Sequence, residues 1–501
     1  MNAFLNGMKN ATNLTYTKNG ALTHKSTNSD LLDLFAMGGA YRKRSDEDCI
    51  LLFKNAYIEN PTYALKCLFY LRDIRGNGQG ERRFFRVCMK WLGSYDREAA
   101  RRNLKYVAEY GRWDDLFVFM GTTLEKDVLA LMRAQLAEDV QTETPSLLAK
   151  WLPSINTSSF ETRLLANKVR NYFGMTPREY RKTLSILRQR INVLERLMSA
   201  GKWDEIQFDH IPSRAGMLYK KAFMRHDLER QEVKGVRTYE EFIKDDTTKV
   251  NADVLNPVDI ANDIFRGRVQ TETDRAAIEK YWRNLKDYYH GREERGIAIC
   301  DVSGSMSGQP LNAAVSMAAY IAERGKGPFK DHFITFSNNP ELVRFEGVDI
   351  TDKFLRAARA DWGGSTNVEA AMNLMLEVAV CNNVPAEDMP TVLYIFSDME
   401  FNSCMSCGPT SSGRWDYSQR VTNPDTLFEI IEKRWNAHGY QLPRVIFWNL
   451  DARQENIPAL GGRFSYVSGF SMSMVDTILS GKDGYDLMME VLDSERYANI
   501  I

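Results

Sequence analysis

The segment Gly296-Ile297-Ala298-Ile299-Cys300 is apolar and runs directly into Asp301-Val302-Ser303-Gly304-Ser305-Met306. A buried strand ending in Asp-x-Ser-x-Ser brings one carboxylate and two hydroxyls to a strand's carboxyl end, where open α/β sheets hold their ligands. All three are hard oxygen donors of the kind magnesium, manganese and calcium take. Two later segments extend the pattern. Gly363-Gly364-Ser365-Thr366-Asn367 opens an apolar helix over 368–380, and the β-branched and aromatic run from Val392 to Ser397 ends in Asp398. Around them the pattern predicts helices at 311–322, 427–435, 475–479 and 485–492, and strands at 332–336, 342–345, 445–448 and 464–467. Strands alternating with helices predict a mostly parallel, doubly wound sheet from about residue 294 to 501.

Together the three segments resemble the metal-ion-dependent adhesion site of von Willebrand factor A domains. The resemblance implies that Asp301, Ser303, Ser305, Thr366 and Asp398 surround one divalent cation, Mg2+ first, with Mn2+ or Ca2+ as alternatives. It also implies that the aspartates act directly or through water and that one side stays open to an outside ligand.

The chain before residue 294 follows a different period. Residues 29–37, 45–59, 61–72, 81–92, 97–110, 113–120, 124–138, 160–173, 176–198, 213–229 and 271–289 carry apolar side chains at three-to-four spacing, which predicts helices. Connections are short and no strand is predicted, so consecutive helical hairpins point to an α-solenoid. A degenerate echo supports this. Gly111-Arg112-Trp113-Asp114-Asp115-Leu116 recurs as Gly201-Lys202-Trp203-Asp204-Glu205-Ile206, each after a helix. Glycine can end one helix while an acid caps the next and the tryptophan packs between them. Residues 1–28 are polar and are expected to be a flexible N-terminus, and about 234–269 reads as a polar linker. The domain division expected is 1–28, 29–293 and 294–501.

Charge separates the same two regions. The formal net charge is −1, but residues 296–501 hold 16 Lys and Arg against 26 Asp and Glu, and residues 1–295 hold 49 against 40. A basic region of this kind points to a polyanion partner. Arg72, Arg75, Arg82, Arg83 and Arg86 flank the Gly-rich stretch Gly76-Asn77-Gly78-Gln79-Gly80 at a helix start, where backbone amides and guanidinium groups can hold phosphate. No Gly-Lys-Ser/Thr follows, so this is not a phosphate loop of nucleotide-hydrolysing enzymes. Residues 161–230 carry 15 basic against 8 acidic side chains, among them Lys168, Arg170, Arg178, Arg181, Lys182, Arg188, Arg190, Lys220, Lys221 and Arg225. Such surfaces bind phosphate backbones with strong salt dependence and little sequence preference. Tyr172, Tyr180, Tyr219 and Phe223 offer rings for base stacking.

A basic helical-repeat region followed by an A-type domain is similar to the Ro autoantigen, or TROVE-domain, family. A related family of uncharacterised proteins matches more closely, through Tyr70-Leu71-Arg72-Asp73-Ile74-Arg75, Lys150-Trp151-Leu152-Pro153-Ser154, the stretch from Met175 to Lys182, and Ile211-Pro212-Ser213-Arg214. The resemblance implies HEAT-like helical repeats, ring-shaped in Ro proteins and closed there by the A-type domain, with small noncoding or misfolded RNA as partner. The expectation is thus a noncatalytic, cytoplasmic RNA-binding protein. The alternative is a metal-dependent scaffold that captures an acidic residue of a protein partner.

Other classes find little support. None of the six histidines lies near a serine or cysteine nucleophile signature, and no metalloprotease motif is present. Seven scattered cysteines, with Cys404 and Cys407 the one Cys-x-x-Cys pair, lack disulfide spacing and suggest a reducing compartment. No apolar run reaches the roughly 18 residues of a membrane helix, so no membrane partner is expected.

Overall fold

The computed structural model describes residues 12–336, 339–359, 366–403 and 425–501. Cys404 and Cys407, and the glycines of the 363–367 loop, lie outside them. The chain forms two compact units, Met1–Cys67 with Leu255–Ala498 and Leu68–Val254 with Asn499–Ile501.

The first unit is built on a six-stranded sheet: β3 (Gly296–Asp301), β4 (His332–Phe336), β5 (Glu341–Arg344), β6 (Val392–Ser397), β7 (Arg444–Asn449) and β8 (Phe464–Ser468). Its order is β5-β4-β3-β6-β7-β8, and every neighbouring pair is parallel except β4 with β5. Strands β3, β6, β7 and β8 are almost wholly buried, which explains their unbroken apolar runs. The antiparallel edge strand β5 is mostly exposed, and its end residues are charged, as befits an edge. Strand β3 connects onward to β4 on one side and β6 to β7 on the other. The strand order therefore reverses between β3 and β6, and a crevice forms at their carboxyl ends.

The doubly wound sheet is as expected, but the units do not divide the chain at residue 293/294. Helices Pro257–Phe265 and Glu272–Arg283 belong with the sheet. Asn312 Nδ2 donates to Asn262 Oδ1 at 2.8 Å, and Arg324 donates to the Trp282 carbonyl at 2.8 Å. The stretch expected to be a polar linker thus contains two helices, Tyr239–Lys244 in the second unit and Pro257–Phe265 in the first. Their Phe242, Ile243, Val258, Ile260, Ala261 and Ile264 are buried. Capping boxes at Thr238/Glu241 and Asn256/Asp259 start both.

The described part of the 1–28 segment is also structured. β1 (Leu14–Tyr16) and β2 (Leu22–His24) form an antiparallel hairpin. Thr23 Oγ1 and the His24 amide donate to the Ile457 carbonyl at 2.7 and 3.1 Å, and the Ile457 amide donates to the His24 carbonyl at 2.8 Å. Helix Asp30–Met37 follows, where Ser468 Oγ of β8 donates to the Phe35 carbonyl (3.2 Å) and accepts from the Gly39 amide (3.0 Å).

Among the described residues, the second unit has no strand, and its helices keep close to the predicted positions. Arg97–Tyr110 and Phe160–Phe173 match at both ends. The predicted helix 176–198 is instead two, Pro177–Arg190 and Leu194–Ser199, separated at Asn192, which has φ +48°. Similarly, 213–229 breaks into Ser213–Arg225 and Asp227–Gln231.

The Gly-Arg-Trp-Asp-Asp turn is the electrostatic knot of this unit. Asp115, 1% exposed, accepts from Arg72 Nε at 2.9 Å, from Arg86 Nε at 2.6 Å and from the Arg112 amide at 2.9 Å. Arg86 and Arg112 also hold Asp114, and the Arg112 guanidinium lies over the Trp151 ring, 3.6 Å from its centre. Glycine is required at 111: a Cβ there would lie 2.5 Å from Asp115 Oδ2 and 2.9 Å from Arg72 Nε. The echo turn is built differently. Trp203 stacks on His226 at 3.8 Å, and buried Arg230 caps the Trp203 and Ile206 carbonyls. Arg72→Met removes one of the two guanidinium groups on buried Asp115 and leaves Arg86 and the Arg112 amide in place. It is therefore expected to destabilise the second unit by about 1.5–3 kcal/mol, the range for a hydrogen bond to a charged group, read as a lower denaturation midpoint in urea.

Candidate metal centre and basic surface

Asp301 ends β3 and Asp398 follows β6, so adjacent parallel strands carry both carboxylates to the crevice where the strand order reverses. Both are buried. Asp301 Oδ1 accepts the Ser303 amide at 2.9 Å, and its Oδ2 accepts Ser397 Oγ at 2.5 Å. The Ser303 and Ser305 hydroxyls lie 2.9 Å apart. Asp398 Oδ1 accepts the Glu400 amide at 3.2 Å, while its Oδ2 is buried without a hydrogen-bond donor. Arg453 Nε stands 3.4 Å from that oxygen as an ion pair, out of line for a hydrogen bond, and the same guanidinium donates to the Ser305 carbonyl. Thr366 is also buried, with its Oγ1 accepting from Asn19 Nδ2 at 3.2 Å.

Electrostatics follow from this geometry. Burial, then the charge of Asp398, pushes Asp301 up to about 7 against the hydrogen bonds from Ser397 and Ser303. Burial also raises Asp398, opposed by Ser305, the Glu400 amide and Arg453. Two carboxylates held close and dry favour a proton or a cation between them. Among the described residues no three His, Cys, Asp or Glu side chains form a metal-holding cluster. A cation here would rest on two carboxylates and the hydroxyls of Ser303, Ser305 and Thr366. That hard-oxygen set, with an orphaned carboxylate oxygen, fits magnesium, manganese or calcium and suits no soft metal.

Sequence reasoning missed the acidic and basic groups around this crevice. Glu400 and Asp451 are buried beside it, and burial first, then the charge of Asp398, raises the Glu400 carboxyl. Lys43 Nζ lies 2.7 Å from Asp451 Oδ2, and Arg44 donates to the Arg453 carbonyl at 2.6 Å. The available signal was the run of Asp398, Glu400 and Asp451 just beyond strand ends.

The fifteen basic candidates separate into two groups. Arg72 and Arg86 belong to the Asp115 knot. Arg75 donates to the Glu109 carbonyl (2.8 Å), Lys168 pairs with Glu125 (2.6 Å), and Arg170 donates to the Met175 carbonyl (2.8 Å). Arg190 donates to the carbonyls of Val140 and Thr142, and Lys220 is buried. Arg188 caps the Ala149 and Leu152 carbonyls and Ser154 Oγ at 2.8, 2.8 and 2.9 Å. All eight are engaged within the fold, though Arg75, Lys168 and Arg190 also remain exposed. Arg82, Arg83, Arg178, Arg181, Lys182, Lys221 and Arg225 are exposed. On helix Pro177–Arg190 the buried Tyr180, Leu184 and Leu187 face inward, which leaves Arg178, Arg181 and Lys182 on one outer stripe. Of the candidate aromatics, Tyr180 and Phe223 are buried. Tyr180 donates to the Pro153 carbonyl at 2.9 Å, so neither ring is a free stacking platform.

Residues 17–128 and 115–288 match the family described as domain of unknown function DUF2828, and residues 295–498 match domain of unknown function DUF7788. An uncharacterised protein of Acanthamoeba polyphaga mimivirus is 30% identical over 512 residues, spanning 94% of this chain and 85% of that protein. The crystal structure of the Deinococcus radiodurans RO (RSR) protein aligns with a TM-score of 0.46 at 14% identity, covering 94% of this chain and all of the other. Uniting a helical DUF2828 region with a DUF7788 sheet domain, the chain belongs to the DUF2828 family.

Proposed function

We propose that this chain is a noncatalytic RNA-binding protein that holds the phosphate backbone on the outer faces of its helical region. The observation that carries the reading is the stripe of Arg178, Arg181 and Lys182, with Lys221 and Arg225 on helix Ser213–Arg225. All five are exposed and have no ion-pair partner among the described residues. Surface cations without an ion-pair partner leave their charge for a polyanion, and each phosphate contact releases condensed counterions. The sheet unit holds a divalent cation at Asp301, Ser303, Ser305, Thr366 and Asp398. The cation supplies charge that neutralises the two buried carboxylates, and the residues around it keep water out and fix the hydroxyls.

A second reading rests on the orphaned Asp398 oxygen. A cation there, with a coordination position left open, captures an acidic side chain of a protein partner, and the sheet unit acts as a metal-dependent scaffold.

Binding of a short labelled single-stranded RNA, followed by fluorescence anisotropy across a salt series, tests the first reading. R181E/K182E is expected to weaken binding at least tenfold and to reduce the log–log salt slope by about 1.4, at roughly 0.7 per lost phosphate contact. Binding that is absent, or unchanged by the substitutions, overturns it. Melting temperature separates surface from structural arginines. R181E/K182E is expected to melt as the parent, whereas Arg188→Ala loses about 2 kcal/mol or more, because it strips a charged donor from three acceptors. For the cation, Mn2+ at a hundredfold excess over its Kd is expected to stabilise the parent by about 2.7 kcal/mol and Asp301→Ala not at all. Equal melting of both in Mn2+ removes the cation from either reading.

A further inference from the structure

We propose that Asn19 is a positioning residue of the cation site, which couples the seating of the N-terminal hairpin to cation binding by holding the Thr366 hydroxyl. This inference rests on the cation reading above.

The turn between β1 and β2 sits on the residues that follow β6. Asn19 Nδ2 bridges Thr366 Oγ1, at 3.2 Å, and the Glu400 carbonyl, at 2.5 Å. Thr17 Oγ1 donates to the Phe401 carbonyl at 2.6 Å, the Lys18 amide to Glu400 Oε2 at 2.6 Å, and the Ser403 amide to the Asn19 carbonyl at 3.4 Å. The other Glu400 oxygen accepts Asn456 Nδ2 at 3.2 Å. One short stretch, Asp398 to Phe401, therefore presents a carboxylate to the crevice and its carbonyls and Glu400 side chain to the hairpin. The turn closes on itself through the Gly20 amide to the Thr17 carbonyl and the Ala21 amide to Thr17 Oγ1, both at 2.9 Å, with Gly20 at φ +88°.

A threonine hydroxyl has two lone pairs and one proton. The Asn19 amide takes one lone pair and sets the rotamer of the buried side chain, which leaves the other lone pair for a cation. Groups that orient metal ligands from outside the coordination sphere govern affinity in this way. Such coupling is reciprocal: if a seated hairpin strengthens cation binding, a bound cation must seat the hairpin by the same factor. Asp398 Oδ2, buried with no aligned hydrogen-bond donor and ion-paired off-line with Arg453 at 3.4 Å, is a second feature of the crevice that a cation would satisfy.

The test uses the full chain and Mn2+ alone. Free Mn2+ is followed by electron paramagnetic resonance, and exchange of the Lys18 and Ala21 amides by hydrogen–deuterium mass spectrometry. In the parent, Mn2+ is expected to slow hairpin exchange severalfold. Asn19→Ala is expected to weaken Mn2+ binding roughly ten- to hundredfold and to lose the Mn2+-dependent slowing. Thr366→Val is expected to lose it too, and the double variant to bind Mn2+ no more weakly than the weaker single one, because both remove one coupling. Unchanged Mn2+ affinity in Asn19→Ala, or additive losses in the double variant, overturns the proposal. Should Asn19→Ala fail to fold, parent hairpin exchange that ignores Mn2+ overturns it equally. A parent that binds no Mn2+ sinks the cation reading itself, an outcome distinct from tight Mn2+ binding that Asn19→Ala leaves intact.

Discussion

Two carboxylates at the ends of adjacent parallel strands, both out of water, are the constraint around which the sheet unit is arranged. Neither Asp301 nor Asp398 can carry full charge there without help. Ser397, the Ser303 amide and the Glu400 amide supply dipoles, and Arg453 supplies a cation at a distance. Glu400 and Asp451 add to the acidity of the same edge. Residues 18–44 answer part of that load: the Lys18 amide reaches Glu400, Lys43 reaches Asp451, and Arg44 fixes the backbone of Arg453. The excess of basic residues before 295 is thus partly spent inside the first unit, so the overall charge division overstates what remains for an external polyanion.

The sheet, and the positions of Asp301 and Asp398 at its strand ends, were legible because each lies beside a strong local signal. Runs such as Ile297–Cys300 and Leu393–Phe396 are apolar on both faces, and only a buried parallel strand accommodates that. A carboxylate at the end of such a run has one place to go. The Gly-rich stretch and the helix ends of the second unit were legible for similar reasons, through caps and glycines. What was not legible needed partners distant in sequence. The hairpin at Leu14–His24 is short and polar, and it is held by Ile457, Glu400 and Phe401 across more than 380 residues of chain. Helix Pro257–Phe265 was hidden because its neighbourhood is rich in Asp and Asn. The buried side of the helix itself reads clearly once its Asn256 cap is recognised.

The basic candidates show why composition alone misassigns arginine. A guanidinium has five donors in a rigid fork, so it is as useful for closing a helix turn as for holding phosphate. Arg72, Arg188 and Arg230 do the former, Arg72 and Arg230 buried and Arg188 half-buried against carboxylate or carbonyl oxygens. Helix Pro177–Arg190 contains the information needed to separate the two roles. Tyr180, Leu184 and Leu187 recur at four and three residues and define the inner face. Arg188 adjoins that face and turns inward, whereas Arg178, Arg181 and Lys182 lie opposite it. Counting charge per segment averages over this register. Assigning charge to a face, with the apolar period as the reference, separates the arginines that close turns from those that stand on the exposed face.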